Sequence, residues 1–232
     1  MTSIVVMAGE PEYESAQTMR PIADLLATEL GASIHYRVPD VLDDTPEFPV
    51  SSFGDLAPLA DADLLVLYTR FRNLPDEEVA AIAEFVARGG SLLALRTSTH
   101  AFHLAVGSPW FEWSEAFGKD IVGSPWISHH GHSSSTDVAI EPRAPQEFVA
   151  GLPATFHVRS WLYETQLAPW ARPVLGGLPV DPETEPRSGP VAWYGEPRGR
   201  RTFYTSLGHP DDLVQAPVRT LLLNAARWAV AG

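Results

Sequence analysis

Five of the eight histidines in this 232-residue chain lie between residues 100 and 132. Histidine is the side chain whose unperturbed pKa lies nearest to neutrality, and its ring nitrogens are frequent metal ligands. The five are His100, His103, His129, His130 and His132. We therefore expect acid–base chemistry or metal binding in this stretch.

The five histidines differ in their surroundings. His100 closely follows an apolar segment and is predicted to be a catalytic group in a pocket. His130 is predicted to be catalytic as well, as a general base or as a partner of a sugar hydroxyl, and His129 is predicted to bind substrate. His103 comes directly after Phe102, which a helical turn would carry inward, so we expect a surface or packing role for it.

A metal site is the alternative for the second histidine group. His129, His130 and His132 are close together in a loop rich in Gly and Ser. They lack the carboxylate and the well-separated ligands of a preformed catalytic zinc site, which usually holds the metal with three protein ligands. The sequence predicts no resident cofactor, with a divalent metal on these three histidines as the less favoured alternative.

Three polar residues stand at the end of the apolar segment that precedes His100. Arg96 has a planar guanidinium that suits a carboxylate or the paired hydroxyls of a sugar, although an ion pair within the protein is the alternative. Thr97 and Ser98 are candidate substrate ligands. Short hydroxyl side chains equally well cap the turn after a strand, so a structural role for both stays open.

The elements that must position these residues alternate between strand and helix. Short apolar segments predict four strands, which are residues 3–8, 32–38, 63–68 and 91–96. Helical spacing of apolar residues predicts a helix over 14–30 and another that begins at Pro75 and ends before Gly89. Strand–helix–strand units build parallel sheets, which bind ligands at the carboxyl ends of their strands. Arg96 and His100 are therefore predicted to lie at the ligand edge of the sheet.

A late segment is predicted to return to the same edge. Beyond residue 135 the chain has shorter extended pieces, and the last of them, 201–206, is followed by Gly208 and His209. If this strand runs parallel to the fourth one, His209 joins the pocket as a third catalytic residue. The alternative makes His209 the start of the final helix, paired with Asp211 or Asp212, because Pro210 and two acids are also a helix-start pattern.

Aromatic residues give a weaker indication of carbohydrate. Trp110, Trp113 and Trp126 lie between the two histidine groups, and indole faces stack on the apolar face of a sugar ring. Trp126 is predicted to bind substrate. Trp113 is expected to cover the sheet instead.

Composition excludes several classes of protein. The chain has no cysteine, so it holds no disulfide and no thiolate nucleophile or zinc ligand. A formal net charge of −13 would repel nucleic acid and anionic membranes. The first residues lack the pattern of a secretory signal, and no apolar run is long enough for a membrane span. We expect one domain over residues 1–232, a cytoplasmic location and a small-molecule sugar or glycoside as partner, with the oligomeric state open.

Five segments together resemble a known family. They contain an Arg-Thr-x-x-His-Ala-Phe loop, a His-His-Gly turn and a Gly-His-Pro turn, and they cover residues 94–102, 129–131, 160–163, 190–193 and 201–210. In this order they resemble the trehalose-utilisation (ThuA-like) family over nearly the whole chain. The resemblance implies a flavodoxin-like three-layer sandwich with a mainly parallel sheet, related to class I glutamine amidotransferases. It also implies a link to the breakdown of trehalose and other glycosides, with keto sugars as possible intermediates.

The chain departs from the family pattern at two places. Where many members have Gly-Ile-His-Ala-Ala-Thr-Asp, the histidine is replaced by Arg96 and the acid by His100. An Asp-Glu-x-Tyr pattern becomes Ser160-Trp161-Leu162-Tyr163, which retains Tyr163 as a candidate substrate ligand. An amidotransferase would place its nucleophilic cysteine near Arg96, so glutamine hydrolysis by that route is excluded.

Two functions from different classes remain. The first is an enzyme that acts on a glycoside or an oxidised sugar through histidine acid–base chemistry. The second is a noncatalytic sugar-binding or regulatory module that kept the fold after losing its nucleophile. The histidine cluster favours the enzyme, and the missing acids favour the module.

Overall fold

The computed structural model describes residues 1–43, 48–130, 134–180 and 187–231. Most of its strands join one sheet around which the helices pack. The strands are β1 (Ser3–Gly9), β2 (Ser33–Arg37), β3 (Asp40–Asp43), β4 (Val50–Ser52), β5 (Leu64–Thr69), β6 (Ser91–Leu95), β7 (Ser128–His129), β8 (Thr136–Ile140), β9 (Thr155–Val158), β10 (Tyr163–Glu164), β11 (Arg172–Pro179), β12 (Gly189–Gly195) and β13 (Thr202–Thr205).

The helices are short or of moderate length. They are α1 (Ser15–Thr18), α2 (Arg20–Leu30), α3 (Asp76–Ala87), α4 (Phe111–Ala116), α5 (Gln146–Val149), α6 (Pro210–Leu213) and α7 (Ala216–Val230). Tight 3-10 turns cover Ala57–Ala60, Arg96–His100 and Pro197–Gly199, and a π-helical segment covers Phe117–Val122. In the described parts of the chain, no helix combines the length and the apolar character of a bilayer-spanning segment.

The main sheet has nine strands in the order β2-β1-β5-β6-β13-β12-β11-β8-β9. The first five are parallel to one another, and the last four are joined to them by antiparallel pairing. The four strands predicted from the first hundred residues are all in the parallel half, and so is the predicted late strand, now β13. The α/β, flavodoxin-like fold expected from the sequence is therefore confirmed.

Alternation along the strands divides the core into two layers. In β1, Ile4 and Val6 face a cluster with α2 and α7, while Val5 and Met7 face a cluster with α3 and the segment Phe117–Val122. These β1 side chains are at most 1 % exposed. Because both faces are covered, β1, β5 and β6 consist of nearly continuous apolar runs, as buried parallel strands do.

Two local predictions differ from the structure. The helix predicted over 14–30 is divided at Met19 into α1 and α2, because Pro21 has no backbone N–H and occupies the first turn of α2. The segment between the second and third predicted strands, for which the sequence predicts no strand, contains a small hairpin in which β3 pairs with β4. Its pairing is antiparallel and local, and it lies outside the main sheet.

Gly118 fixes the distance between the π-helical segment and the turn after β6. A Cβ atom at this position would lie 2.1 Å from the carbonyl oxygen of Thr99 and 3.0 Å from that of Ser124. Both obstacles are backbone atoms that a side-chain rotation cannot move. The glycine lets the segment pack directly onto the turn that carries the candidate residues.

Candidate functional site

The turn Arg96–His100 begins where β6 ends, at the carboxyl edge of the parallel strands. Arg96 has a φ of 44°, in the left-handed region that arginine rarely adopts. A hydrogen bond holds this backbone in place, donated by the hydroxyl of Tyr204 to the Arg96 carbonyl at 2.5 Å. Gly208 packs beside it, since an added Cβ at that position would lie in ordinary van der Waals contact with the Arg96 Cβ, at 3.4 Å.

The Arg96 side chain is a buried cation with neutral partners. It is 1 % exposed, and its guanidinium donates to the Tyr13 hydroxyl at 2.7 Å and to the Ser206 carbonyl at 3.1 Å. The guanidinium carbon also lies 4.3 Å from the ring centre of Tyr13 and 5.3 Å from that of Tyr163. Burial opposes the charge, but the neighbouring tyrosines raise the pKa of Arg96 on balance, so the group stays charged.

No aspartate or glutamate of the described ranges forms an ion pair with Arg96. Its Nε is buried and has no hydrogen-bond acceptor among those residues. The ion pair that was the structural alternative for this arginine is therefore not present in the described protein. A ligand oxygen would complete the set of acceptors around the guanidinium.

The hydroxyls of Thr97 and Ser98 are used within the protein. Thr97 donates to the Thr69 carbonyl at 2.9 Å, and Ser98 donates to the Leu67 carbonyl at 2.8 Å. Both residues are buried against the end of β5. This geometry favours the structural role that the sequence left open, in which they tie the turn to the neighbouring strand.

His100 lies at the end of the same turn between aromatic rings. Its ring centre is 4.6 Å from that of Phe71 and 4.4 Å from that of Trp126, and its Nδ1 is 3.1 Å from the Thr99 hydroxyl. Burial, followed by the positive charges of Arg70 and Arg96, lowers its pKa to about 3. At neutral pH the imidazole is uncharged and serves as a hydrogen-bonding group, not as an acid.

A second layer of aromatic residues extends from His100. Trp126 makes an edge contact with Tyr163 at 4.9 Å between ring centres and lies 6.0 Å from the ring of His129. His129 and Tyr163 face each other in the short antiparallel pair of β7 and β10. The structure thus brings Trp126, His129 and Tyr163, three of the predicted substrate ligands, next to His100 and Arg96.

His130 is held by its backbone. Its N–H donates to the Leu162 carbonyl at 2.9 Å, and its carbonyl accepts from the Ser134 hydroxyl at 2.6 Å. His132, from the alternative metal set, lies outside the described residues. Among the residues that are described, no three or more His, Asp or Glu side chains form a group that would hold a metal ion.

His209 caps the short helix α6 and also approaches the edge site. Its Nδ1 accepts from the Asp211 N–H at 3.2 Å, so the neutral ring carries its proton on Nε2. Its ring centre is 6.0 Å from that of Tyr13, the residue that binds Arg96. Burial lowers the pKa of His209, although the carboxylates of Asp212 and Asp211 act against it. We use the name edge site for Arg96, His100, His209, Tyr13 and Tyr163.

Ser160 and Asp212 position the His209 turn. The Ser160 hydroxyl accepts from the backbone N–H groups of Gly208 and His209, both at 3.1 Å, and donates to Asp212 at 2.5 Å. Asp212 is fully buried and also accepts from the backbone N–H groups of Arg159 and Ser160. The sequence offered Asp212 only as a pairing partner for His209. In the structure its carboxylate instead holds the loop that contains Arg159 and Ser160.

Glu10 and Tyr13 are residues of this edge that the sequence analysis did not identify. Glu10 directly follows β1, so its position at a strand end was the available signal. The Glu10 carboxylate accepts from the Tyr13 N–H at 2.6 Å and lies 3.7 Å from the Arg70 guanidinium. Burial raises the pKa of Glu10 above 4.5, although the Tyr13 N–H and Arg70 act against it.

This raised pKa predicts a measurable pH effect on stability. The folded state keeps the Glu10 proton to higher pH than the unfolded chain, so the free energy of unfolding falls as pH rises from 4.5 through the folded pKa. We expect Glu10→Gln to reduce this fall in urea titrations between pH 4 and 8. Glu147→Gln, at an exposed position, is the matched control. Equal slopes for wild type and Glu10→Gln would contradict the assignment.

Comparison with known proteins agrees with the fold. A family model described as trehalose utilisation matches residues 4–229. A protein from Parabacteroides merdae described as ThuA-like superposes with a TM-score of 0.68 at 19% identity, covering 100% of this chain and 90% of its own. A cytoplasmic protein from Salmonella typhimurium gives 0.60 at 12% identity and 98% coverage of each chain.

A third similar structure belongs to a larger protein. The carbohydrate deacetylase Agd3 superposes with a TM-score of 0.57 at 12% identity, over 100% of this chain and 33% of its own. At such identities the structural likeness shows a shared fold. No curated protein matches the sequence.

Proposed function

Because this chain belongs to the trehalose-utilisation (ThuA) family, we propose that it is an enzyme that acts on a glycoside or an oxidised (keto) sugar at the edge site. The observation that carries this proposal is the buried Arg96 cation, whose partners in the described protein are neutral. A fixed positive charge in a water-poor site stabilises a substrate oxygen on which negative charge develops. A sugar carbonyl or a leaving alkoxide is such an oxygen.

The two histidines beside Arg96 have different proposed roles. His209 is partly accessible and keeps its Nε2 away from the capping bond, so it is the better candidate for moving a proton to or from the sugar. With a pKa of about 3, His100 is neutral near physiological pH and would orient the sugar by hydrogen bonding. His130 stays a proposed general base. Within the described residues it makes no contact with His100 or His209.

The binding residues of the proposal are aromatic. Trp126 and Tyr163 adjoin His100 and Arg96 and offer ring surfaces to the apolar face of a sugar. Thr97 and Ser98 support the turn through their bonds to β5. The substrate ligands we propose are therefore Arg96, Trp126, His129 and Tyr163.

A noncatalytic sugar-binding module is the second candidate. The observation in its favour is the low pKa of His100, since a histidine that does not protonate near neutrality is a poor acid and a weak base. The two candidates share the same site and differ only in turnover.

Replacing His209 tests the proposal. We expect the purified protein to convert one or more members of a panel of glucosides and their 3-keto derivatives, followed by mass spectrometry. His209→Ala should lower the rate by about 100-fold or more, as the loss of a general acid–base group does. Its stability should stay within about 1 kcal/mol of wild type, which is the usual cost of one helix cap.

The control is His157→Ala, an exposed histidine paired with Asp137 far along the sheet. It should leave turnover unchanged. Saturable sugar binding without turnover in the wild type would favour the module, and full activity in His209→Ala would remove His209 from the mechanism.

A further inference from the structure

Two cavities meet at the turn Pro197–Gly199, between β12 and β13. One has a volume of about 480 Å³ and the other about 740 Å³. Asp120, Pro197 and Arg198 line both, so the cavities adjoin at these residues, and we call the two together the groove. β13 starts beside this turn and ends near His209. The groove therefore lies at the amino edge of the parallel strands, opposite the edge site.

Tryptophans stand at both ends of this groove. Trp110 and Trp113 line the smaller cavity, and Trp170 lines the larger one. All three are partly exposed, and their indole N–H groups find no acceptor within the described protein. By contrast, the indole of the buried Trp193 donates to the Val122 carbonyl at 2.8 Å. Trp113 packs against Phe102 and Phe117, at 5.7 and 5.1 Å between ring centres, and Trp110 lies edge-on to Trp113 at 6.2 Å. The three tryptophans therefore present to the groove only those parts of their rings that this packing leaves exposed.

Trp170 rests on a surface made for it by glycines. A Cβ atom on Gly195 would lie 2.5 Å from the Trp170 ring, and one on Gly123 would lie 2.9 Å from it. Neither glycine can therefore become a larger residue without displacing the indole. This fixed placement is what a stacking platform requires, because less side-chain entropy is lost when a ligand binds to it.

Charged side chains lie between the aromatic ends. Lys119, the single lysine of the chain, and Arg198 are exposed, and neither forms an ion pair with a residue of the described ranges. Asp120 lies beside them and is likewise outside every ion pair of those ranges. The groove also reaches Arg200, Glu84 and Glu196, so its acidic and basic side chains balance. That balance suits a neutral ligand with many hydroxyl groups.

We propose that this groove is a second carbohydrate-binding site, which takes a neutral saccharide of two or more rings. Indole platforms stack on the apolar faces of sugar rings, and carboxylates and guanidinium groups bond the hydroxyls at their rims. Each cavity has the volume of an ordinary small-molecule site. Two cavities with an aromatic platform in each accommodate linked rings on either side of Arg198. The site is independent of the proposed catalysis and would bring sugar chains to the enzyme surface.

The test is titration of the full chain with trehalose, maltose and cellobiose, followed by calorimetry and by tryptophan fluorescence. We expect saturable binding of at least one disaccharide. Trp110→Ala and Arg198→Gly should each weaken this binding about tenfold or more, as for anchoring residues of an interface. Arg198→Gly should fold normally, because Arg198 has a φ of 56° that glycine adopts without strain.

His209→Ala separates this site from the edge site. We expect it to leave disaccharide binding in the groove unchanged even where it abolishes turnover. Binding that survives Trp110→Ala and Arg198→Gly but is lost in His209→Ala would overturn the proposal, and so would the absence of binding by all three sugars. Tighter binding of glucose 6-phosphate than of the neutral disaccharides would also overturn it.

Discussion

Asp212→Ala is expected to destabilise the protein by about 3 kcal/mol and to abolish the sugar turnover proposed for the edge site. The Asp212 carboxylate is fully buried and accepts two backbone N–H bonds, from Arg159 at 2.6 Å and Ser160 at 3.1 Å. Alanine would leave both donors without an acceptor, and each such buried loss costs about 1–3 kcal/mol. Ser160 would also lose the partner that orients its hydroxyl toward the backbone of Gly208 and His209.

Asp211→Ala is the matched control for this prediction. Asp211 is adjacent in sequence, belongs to the same helix turn, and has a side chain that is 74% exposed. Its loss should cost less than about 1 kcal/mol, the usual value for an exposed polar contact. Chemical denaturation of both variants measures the two losses in the free energy of unfolding. Equal stabilities would mean that the buried network around Ser160 does not hold the turn.

Acidification should weaken the fold through His100. Its pKa is about 3 in the folded protein and 6.5 in the unfolded chain. Between these two values the unfolded chain binds a proton that the folded protein does not, so the free energy of unfolding falls as pH falls. The contribution amounts to at most about 1.4 kcal/mol per pH unit, since one pKa unit corresponds to about 1.36 kcal/mol.

His100→Gln should therefore flatten the acid side of the stability profile. The measurement is a series of urea titrations from pH 7 to pH 4, and the readout is the difference in slope between variant and wild type. Stability at pH 7 is not the readout, because glutamine also changes the packing against Phe71 and Trp126. His157→Gln, at a side chain that is 55% exposed, is the control for the substitution itself. An unchanged slope in His100→Gln would show that its ring is hydrated when the protein is folded.

The inner strands of the parallel half were predictable from the sequence because they are mainly apolar on both faces. Leu64–Thr69, for example, begins with four aliphatic residues and is buried along its whole length. β13 was located by a different pattern, the apolar alternation of residues 201–206, and it leads into the turn with His209. The hairpin of β3 and β4 was not predictable in this way, since β3 is exposed and has no alternating apolar pattern.

For the edge site, the sequence predicted the positions of the residues better than the roles of their side chains. Topology brought Arg96 and His209 to one edge, and the structure shows that His209 also caps α6, so its two interpretations are compatible. The bonds of Thr97 and Ser98 to β5 depend on atoms of another strand that no local pattern encodes. Tyr13 was missed because its contact with Arg96 spans 83 positions along the chain.

The position of β13 between β6 and β12 has a consequence for the order of events during synthesis. When the ribosome has released the first hundred or so residues, β6 has its neighbour β5 on one side and nothing on the other. Its free side then presents unpaired N–H and C=O groups on a strand that is apolar apart from Ser91, which is a template for pairing with another nascent chain. Translation must continue for roughly another hundred residues before β13 emerges and closes this edge. Expression yield should therefore depend on chaperone supply and on translation speed between the two strands, even for variants whose finished fold is fully stable.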